Sequence, residues 1–406
     1  MLLVAPIVVP LSTAILTLLF RGRGPDRIIS LLGAVALIFS GVALLSAVSE
    51  NGPMAAQMGA WAAPFGITLF VDLLSATMVT IAGLVAICVV VFSLKDVTED
   101  ERRVGFHPLS HALLGGVCGA FMTGDIFNLY VWFEVMLIAS FGLLVIGGRK
   151  DQIDAAVKYV GLNLIATLAF LSGVGILYGV TGTLNMADLH LALEGRQNER
   201  AVVASAAFLI FAFGAKAALF PLFSWLPASY HTPAYATSAL FAALLTKVGV
   251  YALLRSFTVV YDGSEGWIQG ILMIAAVLTM IVGISGAVSQ TQIRRIFGFT
   301  IISAIGYMVL GLAIYTPLAI MGALFYLFHD IIVKANLYFL SGVIARKAGS
   351  EDIEEIGGLL KASPVLAVLF LVPALSLAGV PPLSGFWAKV LVVRGTLDAE
   401  QWFATF

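Results

Sequence analysis

The chain has 406 residues, of which 60% are hydrophobic and only 11% are charged. Soluble domains average about 25% charged and roughly 45–50% apolar residues, so this composition excludes a soluble globular enzyme and a disordered or fibrous chain. A membrane-spanning helix needs about 20 mostly apolar residues, and the apolar content is enough for about a dozen of them. The formal net charge of −1 indicates no particular partner, because the positions of the charges matter more.

Apolar stretches of helical length between polar breaks predict twelve spans in an all-α integral membrane protein. A signal peptide begins with basic residues, and the first stretch has none ahead of it, so we expect this stretch to be retained as a span. The twelve predicted spans are Leu2–Phe20, Ile28–Val48, Ile67–Leu94, Phe106–Thr123, Ile126–Ile146, Ala156–Val180, Ala201–Ser224, Thr232–Leu254, Trp267–Val288, Ile293–Tyr315, Leu318–Ile344 and Ala362–Val393.

Basic residues are distributed unevenly between the two sides of these spans. With the N-terminus placed outside, fourteen Lys and Arg residues fall in or next to inside connections and four, including Arg255, in outside connections. Cytoplasmic connections of membrane proteins are enriched in Lys and Arg. The sequence therefore predicts an external N-terminus.

Seven of the ionisable residues in the predicted spans are expected to lie deep in the membrane. A charged side chain near the bilayer centre costs at least about 2.5–3.5 kcal/mol, so such residues usually face a polar interior. We expect this set to line a shared hydrated path rather than the lipid surface. The seven residues are Glu134, Lys216, Lys247, His329, Asp330, Lys334 and Lys389.

Glu134 is surrounded by apolar residues in its own span, so its partner must come from another helix, and a buried lysine is the natural candidate. A static ion pair and a working proton-transfer site are both open readings, and the cost of burying charges favours the second. His329 is either a core residue or a proton-transfer group. It lies five residues before Lys334, a spacing that lets the two side chains flank one polar channel.

Prolines interrupt two of the spans beside a lysine. Pro221 follows Lys216, and the stretch Ala378–Gly385, with two adjacent prolines, precedes Lys389. Proline removes a backbone hydrogen bond and breaks a helix. Paired broken helices near buried charges are typical of transporters built from inverted repeats. The sequence therefore predicts two inverted repeats with their sites near the midplane.

Other polar residues give weaker signals. Asp72 and Asp125 lie at span ends and are expected to act as helix caps or interface anchors. His107 and His111 have metal-binding spacing but no third ligand, so we predict no metal site there. His231, in an inside loop, is a candidate group for proton uptake. The two cysteines lie in apolar runs without a CxxC pattern, as packing residues do.

Three stretches resemble the antiporter-like membrane subunits, a superfamily that includes proton-pumping subunits of respiratory complex I and large subunits of Mrp cation/proton antiporters. The first is Phe213–Arg255, which begins FGAKAALFPLFSWLPASYHTP. The second and third, DIFNLYVWFEVMLIASFGLLV (Asp125–Val145) and FYLFHDIIVKANLYFLSG (Phe325–Gly342), are similar to the version in the D-type subunits of Mrp antiporters.

The resemblance implies roles at matching positions. These are the fifth-helix glutamate, the seventh-helix lysine, the eighth-helix lysine connecting two half-channels, the eleventh-helix polar pair and the twelfth-helix lysine near the outer exit. In this chain they are Glu134, Lys216, Lys247, His329 with Lys334, and Lys389.

The family also implies a fourteen-helix fold with two inverted five-helix repeats, in which helices 7 and 12 are broken. On this chain we expect a three-helix segment at residues 1–105, a first repeat at 106–260 and a second at 261–406. Because the sequence stops at Phe406, soon after the twelfth span, the second repeat is expected to be incomplete and the sequence to be a fragment or a truncated chain.

Two transport functions and one structural function fit the sequence. The first is a component of a bacterial cell-membrane Na+/H+ antiporter, working with the other Mrp antiporter subunits (A, B, C, E, F and G) and carrying protons against cytoplasmic cation. The second is a proton-translocating subunit of a complex I-like NADH–quinone oxidoreductase or a membrane hydrogenase. The third is a scaffold, which buried charges argue against. We expect no cofactor, metal or nucleic acid on this chain, and a cation route largely in or beside another subunit.

Overall fold

The computed structural model describes residues 2–405, apart from the side chain of Phe403. The chain divides into two compact units, which are described separately below. Unit 1 comprises the residues up to Lys216 together with Tyr251–Asp262, and unit 2 comprises Ala217–Val250 and Gly263 onward. The fold is mainly helical, as predicted.

Unit 1 is built from nine helices and a short hairpin. Strands β1 (Met54–Gln57) and β2 (Thr68–Val71) pair antiparallel, with Met54 opposite Val71. The helices are α1 (Ala5–Leu19), α2 (Pro25–Asn51), α3 (Leu73–Asp96), α4 (Glu99–Val104), α5 (Phe106–Met122), α6 (Ile126–Val145), α7 (Lys150–Thr181), α8 (Met186–Ala192) and α9 (Arg200–Ala217), the last residue of which belongs to unit 2.

Small residues let helices α2 and α3 approach closely. A Cβ atom added at Gly83 would lie 2.6 Å from Ile38 Cα, and one added at Gly41 would lie 2.9 Å from Thr80 Cα. Membrane helices associate through such close backbone contacts, because lipid offers no hydrophobic driving force between them. Gly41 and Gly83 therefore serve helix packing between α2 and α3.

One helical span carries the chain between the units. It consists of α11 (Tyr235–Leu240), a π-helical turn (Phe241–Leu245), α12 (Thr246–Arg255) and a second π-helical turn (Ser256–Val260). It runs as one apolar helix over Tyr235–Val260. Its first part, through Val250, belongs to unit 2 and the remainder to unit 1.

The other helices of unit 2 surround α15, the longest among them. Helix α15 contacts α11, the first π-helical turn, α14, α17 and α18. It therefore places its polar residues in the interior of unit 2. Besides α11 and the first part of α12, the helices are α10 (Trp225–Ser229), α13 (Gly266–Val288), α14 (Ile293–Ile314), α15 (Pro317–Ala348), α16 (Leu359–Ala362), α17 (Pro364–Ala378), α18 (Ser384–Asp398) and α19 (Trp402–Thr405).

Both predicted interruptions are present in the helices. After α9 ends, Ala218 adopts φ +65°, the peptide bond before Pro221 is cis, and helix resumes at α10. The Phe220 amide, freed by the break, donates to Thr279 Oγ1 at 2.9 Å. After α17 ends, Gly379 has φ +89°, a conformation that favours glycine, and α18 begins beyond the cis Pro381–Pro382 bond.

The count of twelve spans is not confirmed. Within residues 2–405, nine helices are long and apolar enough to cross a membrane. Three of the predicted spans correspond to shorter helices, because α1 has 15 residues, α5 has 17, and the last span is split into α17 and α18.

Two boundary predictions were wrong. The third span does not begin at Ile67, since residues 68–71 form strand β2 and helix α3 starts at Leu73. Arg255 is not in a connection: it lies at the end of α12, inside an apolar helix.

Candidate functional site

The Glu134 carboxylate and the Lys216 amine both belong to unit 1. Glu134, on α6, is partly buried and accepts a hydrogen bond from Thr167 Oγ1 of α7 at 2.7 Å. Lys216 Nζ, near the end of α9, lies 5.6 Å from the centre of the Phe133 ring, a cation–π distance. Among the described residues the two charges interact electrostatically but form no direct ion pair. The structure thus brings the two residues into one cluster, with Thr167 as the immediate partner of the carboxylate.

Lys247 is fully buried in unit 2 and has an acidic partner. Its Nζ lies 2.7 Å from Asp330 Oδ2 of α15, and both side chains have 0% exposure. The same amine donates to the Ala242 carbonyl at 2.6 Å. Ala242 lies in the first π-helical turn, where the i→i+5 pattern replaces the regular α-helical hydrogen bonds. The local irregularity of this helix therefore provides a carbonyl partner for the lysine.

His329 and Lys334 have different partners on the same helix. Lys334 is fully buried and donates to Thr300 Oγ1 of α14 at 2.6 Å. His329 Nδ1 lies 2.8 Å from Ser384 Oγ, at the start of α18 just after the helix break. The other ring nitrogen of His329 has no hydrogen-bond partner within residues 2–405. The two residues contact different neighbouring helices, Lys334 on the side of α14 and His329 on the side of α18.

The Lys389 side chain caps the C-terminal end of helix α17. Its Nζ donates to the carbonyls of Leu377 and Ala378 at 3.1 Å each. These are among the last carbonyls of α17, which lack intrahelical partners and carry the negative end of the helix dipole. The amine also lies 5.3 Å from the centre of the Tyr307 ring. Lys389 and Tyr307 line a mainly apolar cavity of about 1100 Å³ in unit 2.

His231 lies in the loop between α10 and α11. Its Nδ1 is 3.0 Å from the Pro227 carbonyl, and its Nε2 is 3.2 Å from Arg295 Nη2. Burial, followed by the positive charges of Arg295 and Arg294, lowers the pKa of His231 to about 4. The imidazole is therefore neutral at physiological pH.

The two predicted cap residues do cap helices. Asp72 accepts from the Ser75 amide at 2.9 Å, and Asp125 accepts from the Asn128 amide at 2.7 Å. Asp72 has a second partner that the sequence pattern did not indicate, the guanidinium of Arg255. This pairing explains why Arg255 can lie inside an apolar helix.

His111 Nε2 lies 2.9 Å from Ser30 Oγ. Within residues 2–405, no group of three His, Cys, Asp or Glu residues that could hold a metal ion occurs.

The specific role of Asp330 is the main feature that sequence reasoning missed. The sequence marks it as an intramembrane charge but assigns it to no lysine. Its spacing of four residues from Lys334 places both on one helix face and is the available signal. Its pairing with Lys247 depends on contact between distant segments, which no local pattern indicates. The same holds for the hydroxyl partners Thr167 and Thr300.

Comparison with known proteins identifies relatives along the whole chain. Residues 123–406 match the family described as NADH:quinone oxidoreductase/Mrp antiporter, transmembrane. The chain is 43% identical to the D subunit of the Na(+)/H(+) antiporter of Alkalihalophilus pseudofirmus over 99% of its own length and 82% of that protein.

Solved structures of an Mrp complex and of respiratory complex I contain chains that match this one over its full length. A chain in the Mrp complex from Dietzia sp. DQ12-45-1b matches with a TM-score of 0.93 and 34% identity, covering 100% of this chain and 75% of that one. A chain of respiratory complex I from Thermus thermophilus matches with a TM-score of 0.85 and 26% identity, covering 100% and 84%.

Proposed function

This chain belongs to the NADH:quinone oxidoreductase/Mrp antiporter transmembrane family, and on that basis we propose that it is a membrane subunit of a Na+/H+ antiporter. The observation that carries the proposal is its 43% identity, over 99% of its length, to a protein named as the D subunit of a Na(+)/H(+) antiporter. A subunit of this kind is a secondary transporter component rather than an enzyme. It works in a multi-pass membrane complex with the other Mrp antiporter subunits (A, B, C, E, F and G).

We propose that buried and partly buried side chains of each unit carry protons. In unit 1 these are Glu134 and Lys216, and in unit 2 they are Lys247, His329, Lys334 and Lys389. The supporting observations are the burial of these side chains and their hydrogen bonds. Each lysine of unit 2 donates to a carbonyl or hydroxyl oxygen, a group that also binds water or another proton donor. A nearby carboxylate stabilises the charged lysine, and a second lysine destabilises it, so protonation at one position affects the next.

His231 is our candidate for proton uptake on the cytoplasmic side. Its imidazole is half-buried, accessible from a loop, and neutral at physiological pH. A neutral imidazole can accept a proton at one nitrogen and release one from the other. On this proposal the N-terminus is outside the cell, consistent with the distribution of basic residues.

The repeat organisation is also a proposal. It assigns residues 1–105 to an N-terminal three-helix segment, 106–260 to a first repeat and 261–406 to a second. The supporting observation is that each repeat contains an interrupted helix with a lysine beside the break. Lys216 precedes the break in the first repeat, and Lys389 follows the break in the second.

The second candidate function is a proton-translocating subunit of a complex I-like oxidoreductase. The match to a complex I chain at a TM-score of 0.85 favours this second function. The sequence identity to that chain is 26%, which is lower than the 34% shared with the Mrp complex chain. In that case the driving energy would come from electron transfer in other subunits.

Expression of the whole operon in a bacterium that lacks its own Na+/H+ antiporters tests the choice. The antiporter proposal predicts growth at Na+ concentrations that stop the host, together with Na+-induced proton movement in everted vesicles energised by any respiratory substrate. A complex that leaves Na+ sensitivity unchanged and moves protons only while oxidising NADH would establish the second function instead.

A further inference from the structure

We propose that Asp330 is a positioning residue for proton transfer, whose carboxylate moves between Lys247 and Lys334 and thereby determines which of the two holds a proton. This inference rests on the proposed function and extends it to a residue not included in the proton path above. It starts from the ion pair of Lys247 with Asp330, at 2.7 Å between Nζ and Oδ2 and with both side chains fully buried.

The carboxylate is held by little else. Neither oxygen of Asp330 accepts a hydrogen bond of good geometry from any residue in the described part of the chain. Buried carboxylates in static ion pairs are usually fixed by further donors, which offset the cost of removing them from water. With no such donors on it in the described residues, the Asp330 carboxylate has to leave only its ion pair with Lys247 in order to change its orientation.

Several ionisable groups surround Asp330, and three of them are lysines. Lys247 of α12, Lys334 and His329 of α15, and Lys389 of α18 all lie within its electrostatic reach, as does the Tyr326 hydroxyl of α15. It is the one acidic residue in the helices of unit 2 described here, apart from Asp398 at the last position of α18. One carboxylate cannot pair with three lysines, so its position decides which lysine is charged.

Lys334 is the alternative partner that the helix geometry offers. It follows Asp330 by four residues on α15, and side chains with this spacing have Cβ atoms about 5–6 Å apart on one helix face. Its present partner, the neutral Thr300 hydroxyl, leaves the lysine without an opposite charge in direct contact. Rotation of the Asp330 side chain towards Lys334 would remove the counter-ion from Lys247 and supply one to Lys334.

The test uses the whole antiporter complex in everted vesicles and measures Na+-dependent proton movement from pH 6 to pH 10. Asp330→Asn is expected to lower exchange at the wild-type optimum at least about tenfold, and to move the alkaline limb of the pH profile about one unit lower, because Lys247 then loses its proton more readily. The matched control is Asp398→Asn, since Asp398 is exposed. Control vesicles should give the wild-type rate and profile.

Asp330→Glu provides the second variant if Asp330→Asn does not assemble or is inactive at every pH. It keeps the charge but displaces the carboxylate by one methylene group, so a displaced pH profile is expected. A wild-type pH profile in either variant, once assembly is verified, overturns the proposal. Wild-type vesicles separate this result from failure of the proposed function: if they show no Na+-dependent proton movement, the function itself is refuted.

Discussion

The buried lysines show how single residues are tolerated at membrane depth. Lys247 and Lys334 are fully buried and Lys216 and Lys389 are partly buried. Each has a specific neighbour: an aromatic ring, a carboxylate, a hydroxyl or the end of a helix. A lysine facing lipid at the bilayer centre would cost at least about 2.5–3.5 kcal/mol. The polar surroundings reduce that cost without fixing the charge permanently, which is the requirement for proton transfer.

Glu134→Gln and Lys216→Ala are each expected to lower Na+/H+ exchange by the complex at least about 100-fold, the lower range of effects seen when a proton-transfer group is removed. Gln can still accept the hydrogen bond from Thr167 but cannot hold a negative charge near Lys216. Exchange is measured in everted vesicles with matched amounts of assembled complex. Glu199→Gln and Lys158→Ala serve as controls because both residues form exposed pairs within unit 1. Wild-type exchange in both test variants would exclude Glu134 and Lys216 from the proton path.

His231 makes a prediction about acid stability. Its pKa falls from 6.5 to about 4 on folding, so the unfolded chain binds a proton at this residue between those pH values and the folded chain does not. Its contribution to stability is therefore complete above pH 6.5 and is lost as the pH falls towards 4. Thermal unfolding of the solubilised complex should show His231→Gln gaining stability relative to wild type as the pH is lowered through this window. A difference that does not change with pH would contradict the buried, neutral imidazole.

Among the helices, the interruptions were predictable and the π-helical turns were not. Pro221 and the Pro381–Pro382 pair remove backbone donors, which favours a break in the helices there. The turn Phe241–Leu245 contains no proline or glycine that would indicate an irregularity at this place, although Lys247 donates to its Ala242 carbonyl. Strand β2 is similarly hidden in the sequence, because Thr68–Val71 is as apolar as the span that follows it.

The same distinction applies to the site. Intramembrane charges are visible in the sequence because each violates the apolar pattern, and six of them, together with His231, form the predicted proton path. Their partners are not visible, because Glu134 with Thr167 and Lys334 with Thr300 are joined only by tertiary packing. Threonine is common in membrane helices, so nothing in the sequence distinguishes these two from the others.

The break after α9 makes a testable prediction of its own. Thr279→Val should lower the free energy of unfolding by about 1–3 kcal/mol, because the Phe220 amide would lose its acceptor. Thr279→Ser keeps the hydroxyl and is the matched control, so it should be closer to wild type. Chemical or thermal unfolding of the purified complex gives the comparison. Equal stability of the Val and Ser variants would mean that this hydrogen bond does not support the broken segment.

For the molecule as a whole, the proposed function requires that an existing ion gradient or a partner subunit supply the energy for transport. An elementary charge moved through 100 mV gains about 2.3 kcal/mol, which exceeds the 1.36 kcal/mol that corresponds to one pKa unit. A membrane potential can therefore change the protonation of groups along the path. We also propose that the cation moves largely through or beside another subunit.

The decisive measurement is sodium-driven proton flux in proteoliposomes, with the purified complex in one preparation and this chain alone in another. An imposed Na+ gradient should change the internal pH in vesicles containing the wild-type complex. The change should be absent with Lys216→Ala complex and with the isolated chain, since the first lacks a proton carrier and the second lacks the cation route. Full flux through the Lys216→Ala complex, or sodium-coupled flux through the isolated chain, would contradict a proton-carrying subunit that exchanges Na+ only within its complex.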